Sequence, residues 1–204
     1  MSGLTLEQAR KLLLERVKRI EDVEEVSLWE AARRVLSKDV FARHDQPPFA
    51  RSPLDGYAVR SGDISTAAKD KPVRLRVLEE VDAGHVGSRH VEPGTAVRIM
   101  TGAPIPDGAD CVVGQEDTDY GEENVEVYEP VGSYENYCFA GEDYKAGTKI
   151  LGEGLTLGAV EVGVLASLGL GQVSVYRRPK VAVITTGDEI ILPGEKLTGG
   201  KIYD

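Results

Sequence analysis

Between Asp55 and Pro130 the chain breaks into short runs that alternate apolar and polar residues: YAVR, VRLRVLEEV, TAVRIM, CVVG and VEVYEP. Clusters of Gly, Pro and Asp separate them. A period of two with turn residues between runs is the pattern of β-strands joined by tight connections. Such a stretch forms a compact β-rich unit of barrel or sandwich type. The 23 glycines and 10 prolines agree, because they favour turns over a helix bundle. A chain of 204 residues holds one or two domains with a sizeable core.

Helical signals flank this region. Thr5 and Gln8 have capping-box spacing, and Leu6, Ala9, Leu13, Val17 and Ile20 recur at three and four, which predicts a helix over Thr5–Ile20. Ser27 and Glu30 repeat the box and predict a short helix through Leu36, with Trp29 packed inside. A third helix is predicted over Thr156–Leu168, closed by Gly169. Short strands are predicted at Thr148–Leu151 and Val173–Tyr176. Lys180–Thr185 (KVAVIT) reads as a strand buried on both faces, as in a parallel sheet. One such strand cannot stand alone, so the remainder of an α/β domain is expected beyond Asp204.

The formal net charge of -10 argues against a nucleic-acid binder, since no basic stripe is present to neutralise phosphates. Cys111 and Cys138 lack the spacing of a zinc site, and a reduced cytoplasmic setting is the simplest reading. The run Leu155–Leu170 contains Glu161 and is too short and glycine-rich to span a bilayer. The amino terminus carries charge throughout its apolar stretch, unlike a signal peptide.

Four loops carry candidate chemistry. Asp55 follows the proline-stiffened PPFARSP and precedes Gly56, so it is either a ligand-binding carboxylate or a turn aspartate bonded to its own backbone. TGAPIPDGAD follows a strand, and its glycines could turn backbone amides, with the Thr101 hydroxyl, toward an anion; the other reading is a proline-stabilised connection. Gly141–Asp143 (GED) sets two acids on a turn, suited to magnesium or simply solvated. TTGDE places Asp188 and Glu189 after the KVAVIT strand, where open α/β sheets gather ligands. An anionic ligand would meet Asp55, Asp143, Asp188 and Glu189 as like charges. It needs a divalent cation or basic residues, and few basic residues lie near these motifs in sequence.

The segments PPFARSPLDGYAVR, TGAPIPDGADCVV, ENYCFAGEDYKAG and RRPKVAVITTGDEI, in this order, resemble the molybdopterin molybdenumtransferases, the MoeA family, which are related to the carboxyl-terminal part of gephyrin. The similarity runs from about Leu6 to Asp204. It implies the last step of molybdenum cofactor synthesis: molybdate enters the dithiolene of adenylylated molybdopterin and AMP leaves, with Mg2+ as cofactor. The resemblance places catalytic positions on Asp55, Thr101, Asp143 and Glu189. Thr101, Gly102 and Asp188 fall at substrate-binding positions, and Asp55, Asp143 and Glu189 at metal-binding ones. The implied fold is α+β: a discontinuous helix/strand domain I (1–45 and 137–178), a compact barrel-like β-rich domain II (46–136), and the start of a MogA-like α/β domain III (179–204). Implied partners are a second copy in a homodimer and a MogA-like adenylyltransferase, with neither nucleic acid nor membrane. This stretch alone is expected to be inactive.

The sequence departs from the family at Ala50, Arg51, Pro53 and Leu54, where PPFDNSAMDGYA is usual, and at Cys138, where an arginine is common. Loss of that guanidinium removes a two-pronged anion contact. A different implied function is that of gephyrin-like relatives, dimeric scaffolds that bind peptide partners without catalysis. A third is a regulatory relative that has drifted from catalysis.

Overall fold

In the computed structural model, residues 4–204 are described. The elements in chain order are α1 (Leu6–Arg16), β1 (Val23–Ser27), β2 (Val40–Phe41), β3 (Gly56–Val59), α2 (Ser61–Ile64), β4 (Val73–Val81), β5 (Thr95–Ile99), β6 (Cys111–Gly114), β7 (Asn124–Val127), β8 (Lys149–Leu151), α3 (Ala159–Ser167), β9 (Gln172–Tyr176), β10 (Ile190–Ile191) and β11 (Ile202–Tyr203). The fold is mixed α+β. It separates into a β-rich unit, Asp39–Gly152 with Ser167–Gly169, and a second unit built from the residues up to Lys38, Glu153–Ala166 and Leu170–Asp204.

The β-rich unit is organised by a five-stranded sheet in the order β6-β3-β5-β4-β7. β4 and β5 run parallel and the other neighbours antiparallel. Every residue of β3 and β6 is buried. The sheet explains this, because apolar side chains cover both of its faces. Tyr57, Val59, Ala96, Cys111 and Val113 pack on one face with Ile64 and Ala67. Ala58, Val97, Ile99 and Val112 pack on the other with Val91 and Ala103. Successive residues point to opposite faces, so a strand buried on both must be apolar throughout. Gly56 permits the close approach of β6: a Cβ there would lie 1.9 Å from the Val113 carbonyl oxygen. A short antiparallel β2–β8 pair belongs to the same unit.

In the second unit β1 pairs antiparallel with β9, and β10 pairs parallel with β11. The capping box of α1 is complete, with the Gln8 amide donating to Thr5 Oγ1 at 3.3 Å and the Thr5 amide to Gln8 Oε1 at 2.9 Å. The helix stops at Arg16 rather than Ile20, because Val17 takes an extended backbone. None of its residues is buried, and Leu6, Leu13 and Leu14 are exposed. α3 lies inside its predicted span, with the Glu161 carboxylate accepting from the Gly158 amide.

Two expectations are corrected here. The Ser27–Leu36 helix is only a single 3-10 turn over Leu28–Glu30. The Ser27 hydroxyl donates to Glu30 Oε2 at 2.7 Å, so the side-chain half of a capping box is diverted. Arg33 then adopts a positive φ of 63°, and the amides of Arg33 and Leu36 donate to the carbonyls of Leu157 and Leu155. Tertiary partners thus replace the helical ladder, and Trp29 is 93% exposed instead of packed. The KVAVIT segment forms no strand: residues 177–187 lack regular structure, and Val181, Val183 and Ile184 are exposed. A strand needs a neighbour to satisfy its backbone, and none stands beside it among the described residues.

Gly56→Ala is expected to destabilise the β-rich unit by about 3 kcal/mol through overpacking. Urea denaturation followed by circular dichroism measures it.

Candidate functional site

Two of the loops singled out in the sequence, TGAPIP and GED, meet on a third, the Asp55 segment Gln46–Asp55. On one side it bonds to the GED region. The Gln46 amide donates to the Tyr144 carbonyl (2.8 Å), Asp143 N–H to the Gln46 carbonyl (2.9 Å), and Gly141 N–H to the Pro47 carbonyl (2.9 Å). Arg51 and Cys138 exchange both backbone hydrogen bonds, at 3.0 and 3.1 Å. On the other side it bonds to the TGAPIP loop. Ser52 N–H donates to the Ala103 carbonyl (3.0 Å), Gly102 N–H to the Ser52 carbonyl (2.8 Å), and Ile105 N–H to the Ala50 carbonyl (3.0 Å). The segment therefore acts as a short middle strand between two loops.

At its end Asp55 meets Thr101. Asp55 Oδ1 accepts from the Thr101 amide at 2.7 Å and from the Thr101 hydroxyl at 2.6 Å. The ladder of β3 with β5 sets this up, since Gly56 lies opposite Ile99 and the two loops leave the sheet side by side. The Thr101 hydroxyl and amide, helped by the positive charge of Arg98, hold the Asp55 carboxyl below its ordinary value against a smaller opposing effect of burial. Asp55 is thus a long-range ligand of Thr101, and the reading of a turn aspartate bonded to its own backbone is not what the geometry shows.

The expectation that TGAPIP turns its amides toward an anion is corrected. The amides of Thr101, Gly102, Ala103 and Ile105 donate to Asp55, Ser52, Met100 and Ala50. The Thr101 hydroxyl likewise donates its hydrogen bond to Asp55. Thr101 orients the carboxylate, and the left-handed Gly102 (φ 85°) shapes the turn that places it. Asp143 is exposed, with its backbone fixed to Gln46. Asp188 and Glu189 are exposed and belong to the other unit.

Basic groups stand closer to these loops than the sequence suggested. Arg98, on β5, acts on Asp55 and pairs with Glu80 at 3.5 Å. Arg51 lies in the middle of the organising segment. A cleft of about 200 Å3 between the 86–90 loop and Pro104–Asp107 is lined by Ser88, Arg89, His90 and Asp107. The Glu79 carboxylate fixes that loop by accepting from the amides of Ser88 and Arg89 at 2.7 and 2.8 Å. Long-range pairing brings these residues together, and no local motif announces it.

Among the described residues no three His, Cys, Asp or Glu side chains gather as a metal-holding group. Magnesium does not require one. It keeps several waters and takes one or two carboxylates together with substrate phosphates. An oriented, ionised Asp55 fits that mode. Both cysteines are free, and burial, reinforced by the Asp110 charge, pushes the Cys111 thiol up to about 12. Cys111 is therefore neither a thiolate nucleophile nor a ligand at neutral pH.

The family model of the MoeA N-terminal region (domain I and II) matches residues 4–169. The chain belongs to the MoeA family. It is 41% identical over 179 residues to molybdopterin molybdenumtransferase 2 of Mycobacterium tuberculosis, covering 88% of this chain and 44% of that protein. It is 38% identical over 202 residues to the molybdopterin molybdenumtransferase of Haemophilus influenzae, covering 98% and 49%. The crystal structure of a molybdopterin biosynthesis MoeA protein from Pyrococcus horikoshii OT3 superposes with a TM-score of 0.84 at 41% identity, covering 95% of this chain and 51% of that one. This MoeA chain spans about half the length of the curated relatives it matches.

The lowered Asp55 pKa fixes the sign of a pH effect. The stability it contributes is present above the ordinary carboxylate range and is lost as pH falls through the lowered value. Thr101→Val removes the hydroxyl donor, so the Asp55 pKa rises and that loss moves to higher pH. Carboxyl 13C NMR titration of both proteins checks it.

Proposed function

We propose that this chain is the amino-terminal part of a molybdopterin molybdenumtransferase, which inserts molybdate into the dithiolene of adenylylated molybdopterin and releases AMP. The observation that carries this reading is Asp55. Its carboxylate is kept ionised and oriented by Thr101 at the end of the Gln46–Asp55 segment, which along its length bonds to both the TGAPIP and GED loops. A substrate with phosphates and an oxyanion needs charge neutralisation as its leaving phosphate departs. Asp55 would hold magnesium directly or through water, and magnesium would supply that positive charge. Thr101 fixes the carboxylate without reorganisation, and Arg98 offsets the local negative charge. Asp143, Asp188 and Glu189 enter the reading through the family resemblance, as acids of the same reaction.

The same reading takes 1–45 and 137–178 as domain I, 46–136 as domain II and 179–204 as the start of domain III. It takes the protein as cytoplasmic; among the described residues no helix is long and apolar enough to cross a membrane. A MogA-like adenylyltransferase would deliver the substrate. This stretch by itself would turn over little or none of it.

Asp55→Ala in the protein carrying all the family domains is expected to abolish molybdenum cofactor production while leaving the circular dichroism spectrum unchanged. Unaltered cofactor production would favour the scaffold reading instead. The uncovered apolar face of α1 supports a homodimer, so sedimentation equilibrium of that protein is expected to give twice the protomer mass.

A further inference from the structure

We infer that Arg51 is an oxyanion-binding residue of this site, contacting a phosphate or molybdate oxygen of the substrate; the inference rests on the transferase reading above. Its Nε is buried and has no hydrogen-bond partner among the described residues. A buried guanidinium donor left unpaired is costly, and native structures rarely keep one without a purpose. Arg34 makes the contrast. Its Nε is also unpaired, but its Nη2 is held by Glu24 and by the Tyr176 carbonyl at 2.9 Å. That guanidinium is already anchored. In a chain with 34 acidic residues, Arg51 Nε has drawn no such partner.

The backbone around Arg51 is fixed from both sides. It exchanges two hydrogen bonds with Cys138, while its neighbours Ala50 and Ser52 bond to Ile105 and Ala103. Residues directly opposite in such an antiparallel pair project their side chains to the same face, so Arg51 and Cys138 share one. The same ribbon holds another orphan, the buried Tyr144 hydroxyl, which lies opposite Gln46 in backbone register. Two of the three buried side-chain polar atoms without a partner among the described residues therefore lie on the ribbon that binds the GED region to the Asp55 segment. A guanidinium offers two parallel donors to a tetrahedral oxyanion, which suits it to phosphate and molybdate alike.

The experiment titrates molybdate and inorganic phosphate separately into this chain, followed by calorimetry, for the wild type, Arg51→Met and Arg51→Lys. Arg51→Met is expected to weaken the bound oxyanion at least tenfold. Arg51→Lys is expected to weaken it less, since the ammonium keeps the charge and loses the two-pronged contact. The melting temperature of Arg51→Met is expected to equal or exceed that of the wild type, because a buried donor without a partner among the described residues has been removed. Loss in the phosphate arm assigns Arg51 to the substrate's phosphate, and loss in the molybdate arm to the incoming oxyanion. A wild type that binds neither anion overturns the inference. So does an Arg51→Met variant that binds like the wild type, whether or not it melts lower. Wild-type-like binding by Arg51→Met, beside lost cofactor production by Asp55→Ala, would overturn this inference alone and leave the transferase reading standing.

Discussion

The β-rich unit depends on the Gln46–Asp55 segment receiving hydrogen bonds along both edges. Loops rarely keep a fixed shape by themselves, because each ordered residue costs roughly 1–2 kcal/mol of backbone entropy. Here the loss is offset by cross-loop bonds to Tyr144, Asp143, Gly141 and Cys138 on one side and to Gly102, Ala103 and Ile105 on the other. The prolines at 47, 48 and 53 reduce the entropy to be lost. Three stretches far apart in sequence become one rigid platform, and Asp55 at its end takes the hydroxyl and amide of Thr101.

A rigid platform matters more for this chemistry than the number of acids. A carboxylate that already accepts two hydrogen bonds is ionised and oriented before any ligand arrives. Its second oxygen need not be paid for with reorganisation. The acidic balance of the chain is met locally by a few placed cations: Arg98 near Asp55, Arg89 beside the TGAPIP loop, and Arg51 on the ribbon.

Much of the fold was legible in the sequence. β3 to β7 were visible because alternation and turn residues mark strands locally, and the start of α1 because a capping box is a four-residue device. The motif positions were legible through family resemblance. What failed was whatever depended on distant partners. Ser27 and Glu30 have the spacing of a cap, but Arg33 and Leu36 give their amides to Leu157 and Leu155, so no helix grows. KVAVIT has the composition of a buried strand, but composition does not supply a neighbour. Glycines in TGAPIP suggested free amides, and only the pairing with residues 50–55 reveals that those amides are spent. Arg98 carried no local sign at all, and Arg51 stood out only as a departure from the family motif, since the meaning of both comes from what lies across a ladder.

The two thiols are unlike in a way that a labelling chemist can use. Cys111 sits inside the sheet with its proton held to about 12, whereas Cys138 is partly open and lies across from Arg51. A maleimide-linked fluorophore or spin label added at neutral pH would therefore attach at one place, and its signal would report on the ribbon between the GED turn and the proline-rich approach without any engineered cysteine.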